Sequence, residues 1–362
     1  MIAFEKRLEP GGGLRLMVSL ISVVLAFAFG GLLILVIGIN PIEAYQALFK
    51  GAFGTSYGLS ETLVKAVPLI LCGLSVAICL KMKLWNIGAE GQFVMGFLAA
   101  SLVALNFDAP IGIMLPLLLV VGFLAGGIWA GIAGLLKATM NVNEIITTLL
   151  MNWVAILLAQ FFAYGPLKGQ DGFPYSDEFC LAEKLPQLGW HRLHWGIFLA
   201  IFVAIVLYII LKKTVWGFEV NVIGSNEAAA RSAGMKIKKN IILVLFLAGG
   251  MAGLAGVTEV CGIEHRLSPH TAAGYGYTAI LVAWLARTNP LVVIIVAFLF
   301  GGLLTGGEMI QITVGVPIAV IHILEGAILF FLLAGDLMMQ YRMVFKMEIT
   351  EIPEAPEMPK ED

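Results

Sequence analysis

The run Leu14-Arg-Leu-Met-Val-Ser-Leu-Ile-Ser-Val-Val-Leu-Ala-Phe-Ala-Phe-Gly-Gly-Leu-Leu-Ile-Leu-Val-Ile-Gly38 decides the class of this chain. As a helix it would reach about 37 Å, more than the roughly 30 Å of bilayer hydrocarbon, and its one charge stands at its start. It is longer than the apolar stretch of a secretory leader and further runs follow it. It therefore reads as a retained first span, with Lys6, Arg7 and Arg15 holding its start in the cytoplasm. Comparable runs recur near 62–80, 92–107, 112–136, 144–164, 195–211, 240–260, 274–287, 290–311 and 316–334. The eighth of the ten is short and contains Gly274 and Gly276, so a broken or re-entrant segment is expected there. The fold class is all-α, a polytopic membrane protein with about ten transmembrane helices.

Composition agrees. Of 362 residues, 60% are hydrophobic and 13% charged, too little charge to cover a soluble surface. The net charge of -2 says nothing about nucleic acid, and no basic stripe suggests it as a partner. An even number of spans puts both termini on one side. Sixteen of the 22 Lys and Arg fall on that side if it is the cytoplasm, which sets the orientation. The outer loop 165–194 carries Asp171, Asp177 and Glu178, and Trp190 and Trp195 flank the next span as interfacial anchors. Residues 1–346 read as the transmembrane domain, and 347–362, acidic and Pro-punctuated, as a disordered cytoplasmic tail. Cys72 and Cys79 share a span face as small buried thiols. Cys180 and Cys261 both fall outside, with no spacing pattern to support a disulfide, and there is no zinc-type Cys/His cluster.

Val121-Gly-Phe-Leu-Ala-Gly-Gly127 and Val296-Ala-Phe-Leu-Phe-Gly-Gly302 share one pattern in spans of opposite direction. Inverted-topology repeats give this, and chance in apolar, Gly-rich sequence gives it too.

Four groups of residues stand out as candidates. Asn86, Glu90 and Gln92, in Asn86-Ile-Gly-Ala-Glu-Gly-Gln92, interrupt apolar sequence at the inner end of the second span. They suit a polar break at membrane depth or a plain cytoplasmic turn. No Gly-Lys-Ser/Thr phosphate loop occurs, so ATP is not bound here in that manner. Ser225 to Met235 in the basic inner loop contains a two-turn helix, with Asn226 as N-cap, Glu227 at the positive end and Gly234 as stop. Its residues Ala229, Ala230, Arg231 and Ala233 offer a face mostly of alanine, too small to insert in a membrane surface and better suited to docking a partner. In Asn143-Glu-Ile-Ile-Thr-Thr-Leu-Leu-Met-Asn152, Thr148 and Asn152 share a face with Glu144, either as interhelical hydrogen bonds or as pathway lining. Glu308, Gln311, His322 and Glu325 are expected inside the bundle, because lipid exposure is costly. Lys65 and Arg287 read as snorkelling near span ends.

These stretches resemble the permease subunits of bacterial ABC importers of the branched-chain amino acid, ribose and nucleoside type. Pro68-Leu-Ile-Leu-Cys-Gly73 running into Asn86–Gln92, Asn143–Asn152, Gly217 to Met235, and Arg266-Leu-Ser-Pro with Gly274-Tyr-Gly-Tyr-Thr-Ala-Ile into Asn289-Pro290 carry the resemblance, in order, over residues 60 to 290. The chain looks most like the larger, simple-sugar-type permease of nucleoside importers; ribose and riboflavin members share most of these motifs. The resemblance implies a permease in the bacterial inner membrane, with no catalytic residue or cofactor of its own. ATP and Mg would be bound by a cytoplasmic ABC ATPase, beside a second permease of the same or different sequence and an extracytoplasmic substrate-binding protein. It makes Ser225–Met235 the coupling helix to the ATPase. Asn86, Glu90, Gln92, Asn143, Glu144, Thr148, Asn152, Glu308, Gln311 and His322 are the pathway or inner-gate candidates. An ion-coupled secondary transporter using Glu144, Glu308 or His322 is the rival reading.

Overall fold

The computed structural model describes residues 2–6 and 12–345; the acidic tail expected at 347–362 lies outside them. A short strand β1 (Ile2–Lys6) precedes helices α1 (Gly12–Val36), α2 (Pro41–Phe53), α3 (Ser56–Lys81), α4 (Ala89–Asn106), α5 (Ile111–Met140) and α6 (Glu144–Tyr164). The outer loop leads to α7 (Gly196–Lys213), α8 (Val215–Ser225), α9 (Glu227–Ser232) and α10 (Ile237–Glu259), which ends in a π-turn over Val260–Glu264. Then come α11 (Tyr275–Leu285), α12 (Pro290–Thr313), α13 (Ala319–Gln340) and strand β2 (Tyr341–Phe345).

Nine helices among the described residues are long and apolar enough to cross a membrane, against about ten expected. The difference is α11, whose 11 residues reach only about 16 Å. β1 pairs antiparallel with β2, so the segments before α1 and after α13 meet on one side and the number of crossings between them must be even. The tenth crossing is the stretch from His265 through α11. The chain enters from the outer side irregularly over 265–274 and finishes as a half-helix.

α3 is the axis of the bundle. Nearly nine-tenths of its apolar window is buried, against about a quarter for α5 and α6. α12 and α11 pack along it, as α5 and α4 pack along α10. Those pairings interchange when α3–α4–α5–α6 is laid on α10–α11–α12–α13, and each helix then meets a counterpart of opposite direction. This is the arrangement of an inverted repeat. The shared Gly-Gly pattern marks close helix contacts: a Cβ on Gly126 would lie 2.3 Å from the Gly249 carbonyl, and one on Gly301 2.6 Å from the Thr62 carbonyl. Small residues let these backbones approach where lipid supplies no hydrophobic drive.

The outer loop is an ordered cap. Phe179 N–H donates to the His265 carbonyl (2.8 Å) and Leu185 N–H to the Cys261 carbonyl (2.7 Å), closing the loop over the π-turn. Arg192 forks onto the Glu61 carboxylate at 3.0 and 2.7 Å, which raises the Arg192 pKa further. His194 is buried, and Gly196 N–H donates to its Nδ1 (3.1 Å). Burial, and then the charge of His265, lower the His194 pKa to about 4. All four cysteines are free, with Cys180 exposed and Cys261 buried.

Candidate functional site

The break between α3 and α4 lies inside the bundle and is not a surface turn. Asn86, Glu90 and Gln92 are 2%, 0% and 1% exposed. Asn152 stands eight residues into α6, about 12 Å from its cytoplasmic end, and touches this segment, which places the break part-way through the membrane. Backbone at that depth must find its partners in protein. Asn86 and Gln92 exchange amide hydrogen bonds at 2.9 and 2.8 Å, and Asn86 Oδ1 also accepts from Gly88 N–H (3.1 Å). Asn152 Oδ1 accepts from Gly91 N–H (2.8 Å), while its Nδ2 donates to the Ile87 carbonyl (2.9 Å) and Tyr277 Oη (3.3 Å). Thr148 donates back to the Glu144 carbonyl (2.7 Å) and lies against Gly88.

Glu90 joins the two breaks. Its carboxylate accepts from Gly274 N–H (2.8 Å) and Gly276 N–H (2.7 Å), so it caps the N-terminus of α11 from the first turn of α4. Gly274 holds φ +82°, and a Cβ on Gly276 would fall 2.2 Å from the Glu90 nitrogen. Only glycine meets both demands. Asn143 caps α6 by accepting from Ile145 N–H (2.9 Å), and Glu144 pairs with Lys137 (2.9 Å) at the cytoplasmic end.

The second set sits towards the outer side. Glu308, Gln311 and His322 are exposed on the chain, contrary to the interior placement expected from the sequence; Glu325 is buried. Lys65 does not snorkel either. It is buried nine residues into α3 and holds Glu308 at 2.5 Å. Charges and amides on a span surface need water or a protein partner rather than lipid. Sequence reading passed over the acid behind them. Glu259 is 8% exposed, makes no hydrogen bond or ion pair among the described residues, and faces the charges of Glu264, Lys65, Arg192 and Glu61. Lys65, Arg192 and Glu61 come from distant segments, and the one local signal is an acid standing inside an apolar run. No group of His, Cys, Asp and Glu able to hold a metal occurs among the described residues.

At the cytoplasmic face α9 is six residues long. Asn226 Oδ1 accepts from Ala229 N–H (3.1 Å), Glu227 pairs with Arg231 (2.8 Å), and Gly234 at φ +78° ends the turn. Ala230 is buried and pins the helix, while Ser225, Asn226, Ala229, Arg231 and Ala233 are exposed and Met235 is half-buried. α8, not anticipated from the sequence, carries α9 and rests on the end of α3: a Cβ on Gly224 would lie 2.1 Å from the Lys81 carbonyl.

Residues 58–333 match the family described as the branched-chain amino acid transport system permease component. The glucose ABC transporter permease of Haloferax volcanii is 38% identical over 89% of this chain and 88% of its own length. The guanosine ABC transporter permease of Bacillus subtilis is 36% identical over 88% and 92%, and the nucleoside ABC transporter permease of Lactococcus lactis 31% over 88% and 90%. With that match and nine apolar helices long enough to span a membrane among its described residues, the chain belongs to this permease family, as a multi-pass ABC transporter subunit of the cell membrane.

Proposed function

We propose that this permease forms the translocation pathway of an ATP-driven importer for nucleosides, working with a cytoplasmic ABC ATPase, a second permease and an extracytoplasmic binding protein. The observation that carries the substrate class is the similarity, over most of both chains, to guanosine and nucleoside permeases. The glucose permease favours a second reading, a simple sugar, and riboflavin remains the third substrate to test. The chain itself performs no covalent chemistry, and ATP and Mg belong to the ATPase.

In this reading α9 seats in the ATPase, and the Gly224–Lys81 contact passes its movement to the end of α3. α3 leads directly into the break at Asn86–Gln92, so a push there acts on the hinge between α3 and α4. Glu308, Gln311 and His322 line the outer part of the pathway, facing water and the second permease, which explains why polar groups are exposed at span depth. Proteoliposomes holding the full assembly, supplied with labelled guanosine, glucose and riboflavin, test this. ATP-dependent guanosine uptake that is lost on Ala229→Glu supports it. Uptake of glucose alone moves the substrate to the second reading, and uptake without the ATPase but with an ion gradient refutes the importer.

A further inference from the structure

We propose that the groove between α1, α2, α7 and α12, open at its cytoplasmic end, is a binding site for one anionic phospholipid. The groove is a cavity of about 1060 Å³ walled by apolar side chains that include Val23, Phe27, Phe53, Val296, Leu299 and Leu303. Along α12 it runs from Pro290 to Leu303, thirteen residues or about 20 Å, so it spans the roughly 15 Å of hydrocarbon in one leaflet and reaches a little beyond it, where Leu48 and Phe53 of α2 close it. Its cytoplasmic mouth is basic. Lys81 from the end of α3, Lys212 from the end of α7 and Arg287 after α11 all line it, with Asn221 and Asn289 beside them as hydrogen-bonding groups.

Two of these cations have no acidic partner among the described residues. Lys81 and Lys212 lie within reach of each other's charge, and neither makes an ion pair among the described residues. Lys212 rests instead over the Tyr208 ring, 5.1 Å from its centre. No acidic side chain among the described residues lines the groove. Like charges gathered over an apolar cavity repel one another and gain from a phosphate, and basic clefts between spans on the cytoplasmic side are suited to acidic headgroups. An apolar helix from a second copy would fill the walls but leave Lys81 and Lys212 unanswered. A lipid with an acidic headgroup satisfies both ends, so charge complementarity selects the occupant.

The site is independent of the transported substrate and is tested without transport. The purified assembly in mild detergent is incubated with phosphatidylglycerol or phosphatidylcholine, and retained lipid is counted by native mass spectrometry. The wild type is expected to keep one phosphatidylglycerol and to lose phosphatidylcholine. The double variant Lys81→Gln/Lys212→Gln removes two near-surface cations and is expected to weaken phosphatidylglycerol retention roughly thirty-fold. Val296→Trp, which fills the groove and leaves the charges alone, should expel the lipid as well, and serves if the double variant does not fold. Equal retention of both lipids in the wild type, or retention unchanged in both variants, overturns the proposal. So does efficient cross-linking between two copies through Leu299→Cys, which would put a second chain in the groove.

Discussion

Replacing Glu90 by Gln should unfasten the half-helix α11 while leaving every other contact in place. The native carboxylate is fully buried and divides its two oxygens between Gly274 N–H and Gly276 N–H, at 2.8 and 2.7 Å. Hydrogen bonds to a charged acceptor contribute about 1.5–3 kcal/mol each. A glutamine keeps one oxygen but turns an NH2 group towards the other backbone donor. One bond is lost and one N–H is left unsatisfied, for a cost of about 2–4 kcal/mol. Glu90→Asp keeps the charge but falls about one methylene short, so it should recover only part of the loss. The assay is thermal unfolding in detergent, followed by a thiol-reactive fluorophore that reports exposure of buried Cys72, Cys79 and Cys261. Glu90→Gln should melt clearly below wild type, with Glu90→Asp between them. Glu227→Gln, on the exposed face of α9, is the control and should not move. A Glu90→Gln protein that melts with the wild type and transports normally would refute the view that this carboxylate holds the two breaks together.

Gly224→Val forces α8 off the end of α3 by about 1 Å, an overpacking that costs about 1–3 kcal/mol. In the assembled importer, ATP hydrolysis should continue while uptake falls at least tenfold; unchanged uptake would remove the contact from the coupling route. His194 is held neutral to about pH 4, below its unfolded value near 6.5. The unfolded chain therefore takes up its proton first, and stability drains away as pH falls from about 6.5 towards 4, by at most about 3 kcal/mol. Melting curves at pH 7.5 and 5.0 should show this drop, and His194→Asn should flatten it. Glu308→Gln strands buried Lys65, at a cost of about 1–2 kcal/mol given the exposure of the glutamate. Lys65→Met/Glu308→Leu should restore the melting temperature but not uptake, if the pair lines the pathway. Recovery of both would make the pair purely structural.

Much of the fold is legible because hydrocarbon imposes one rule on every span. The α6 range expected from the sequence, 144–164, coincides with the helix, and Asn143 marks its start as a cap should. α3 begins six residues earlier than expected, at Ser56. Glu61 and Lys65 look like a boundary to a local window, but their partners Arg192 and Glu308 lie far along the chain. α2 has a readable start in Asn40 and Pro41, yet 13 residues are too few to be counted as a span. α8 is short and lies on the cytoplasmic face, where hydropathy gives no signal. The polar residues of the site were visible one by one. That Asn86, Gln92 and Asn152 bond to the break while Glu308, Gln311 and His322 face outward depends on packing between distant helices.

The two breaks also bear on the kind of solute the pathway can hold. Discontinuous helices in transporters commonly aim a half-helix N-terminus at an anionic group of the substrate, because its free N–H groups and dipole favour negative charge. Here the N-termini of α4 and α11 meet part-way through the membrane, and the charge they favour is already supplied by Glu90 from within the chain. A substrate carboxylate or phosphate at this point would have to displace a buried ionic contact made by both oxygens. A neutral solute bearing hydroxyl groups faces no such competition. The self-capped break thus sets this permease against anionic cargo and towards nucleosides or sugars. The same logic requires that Glu90→Gln, by freeing α11, weakens discrimination against anions as well as stability. Nucleotide competition against guanosine uptake measures that: none in the wild type, detectable competition in the variant.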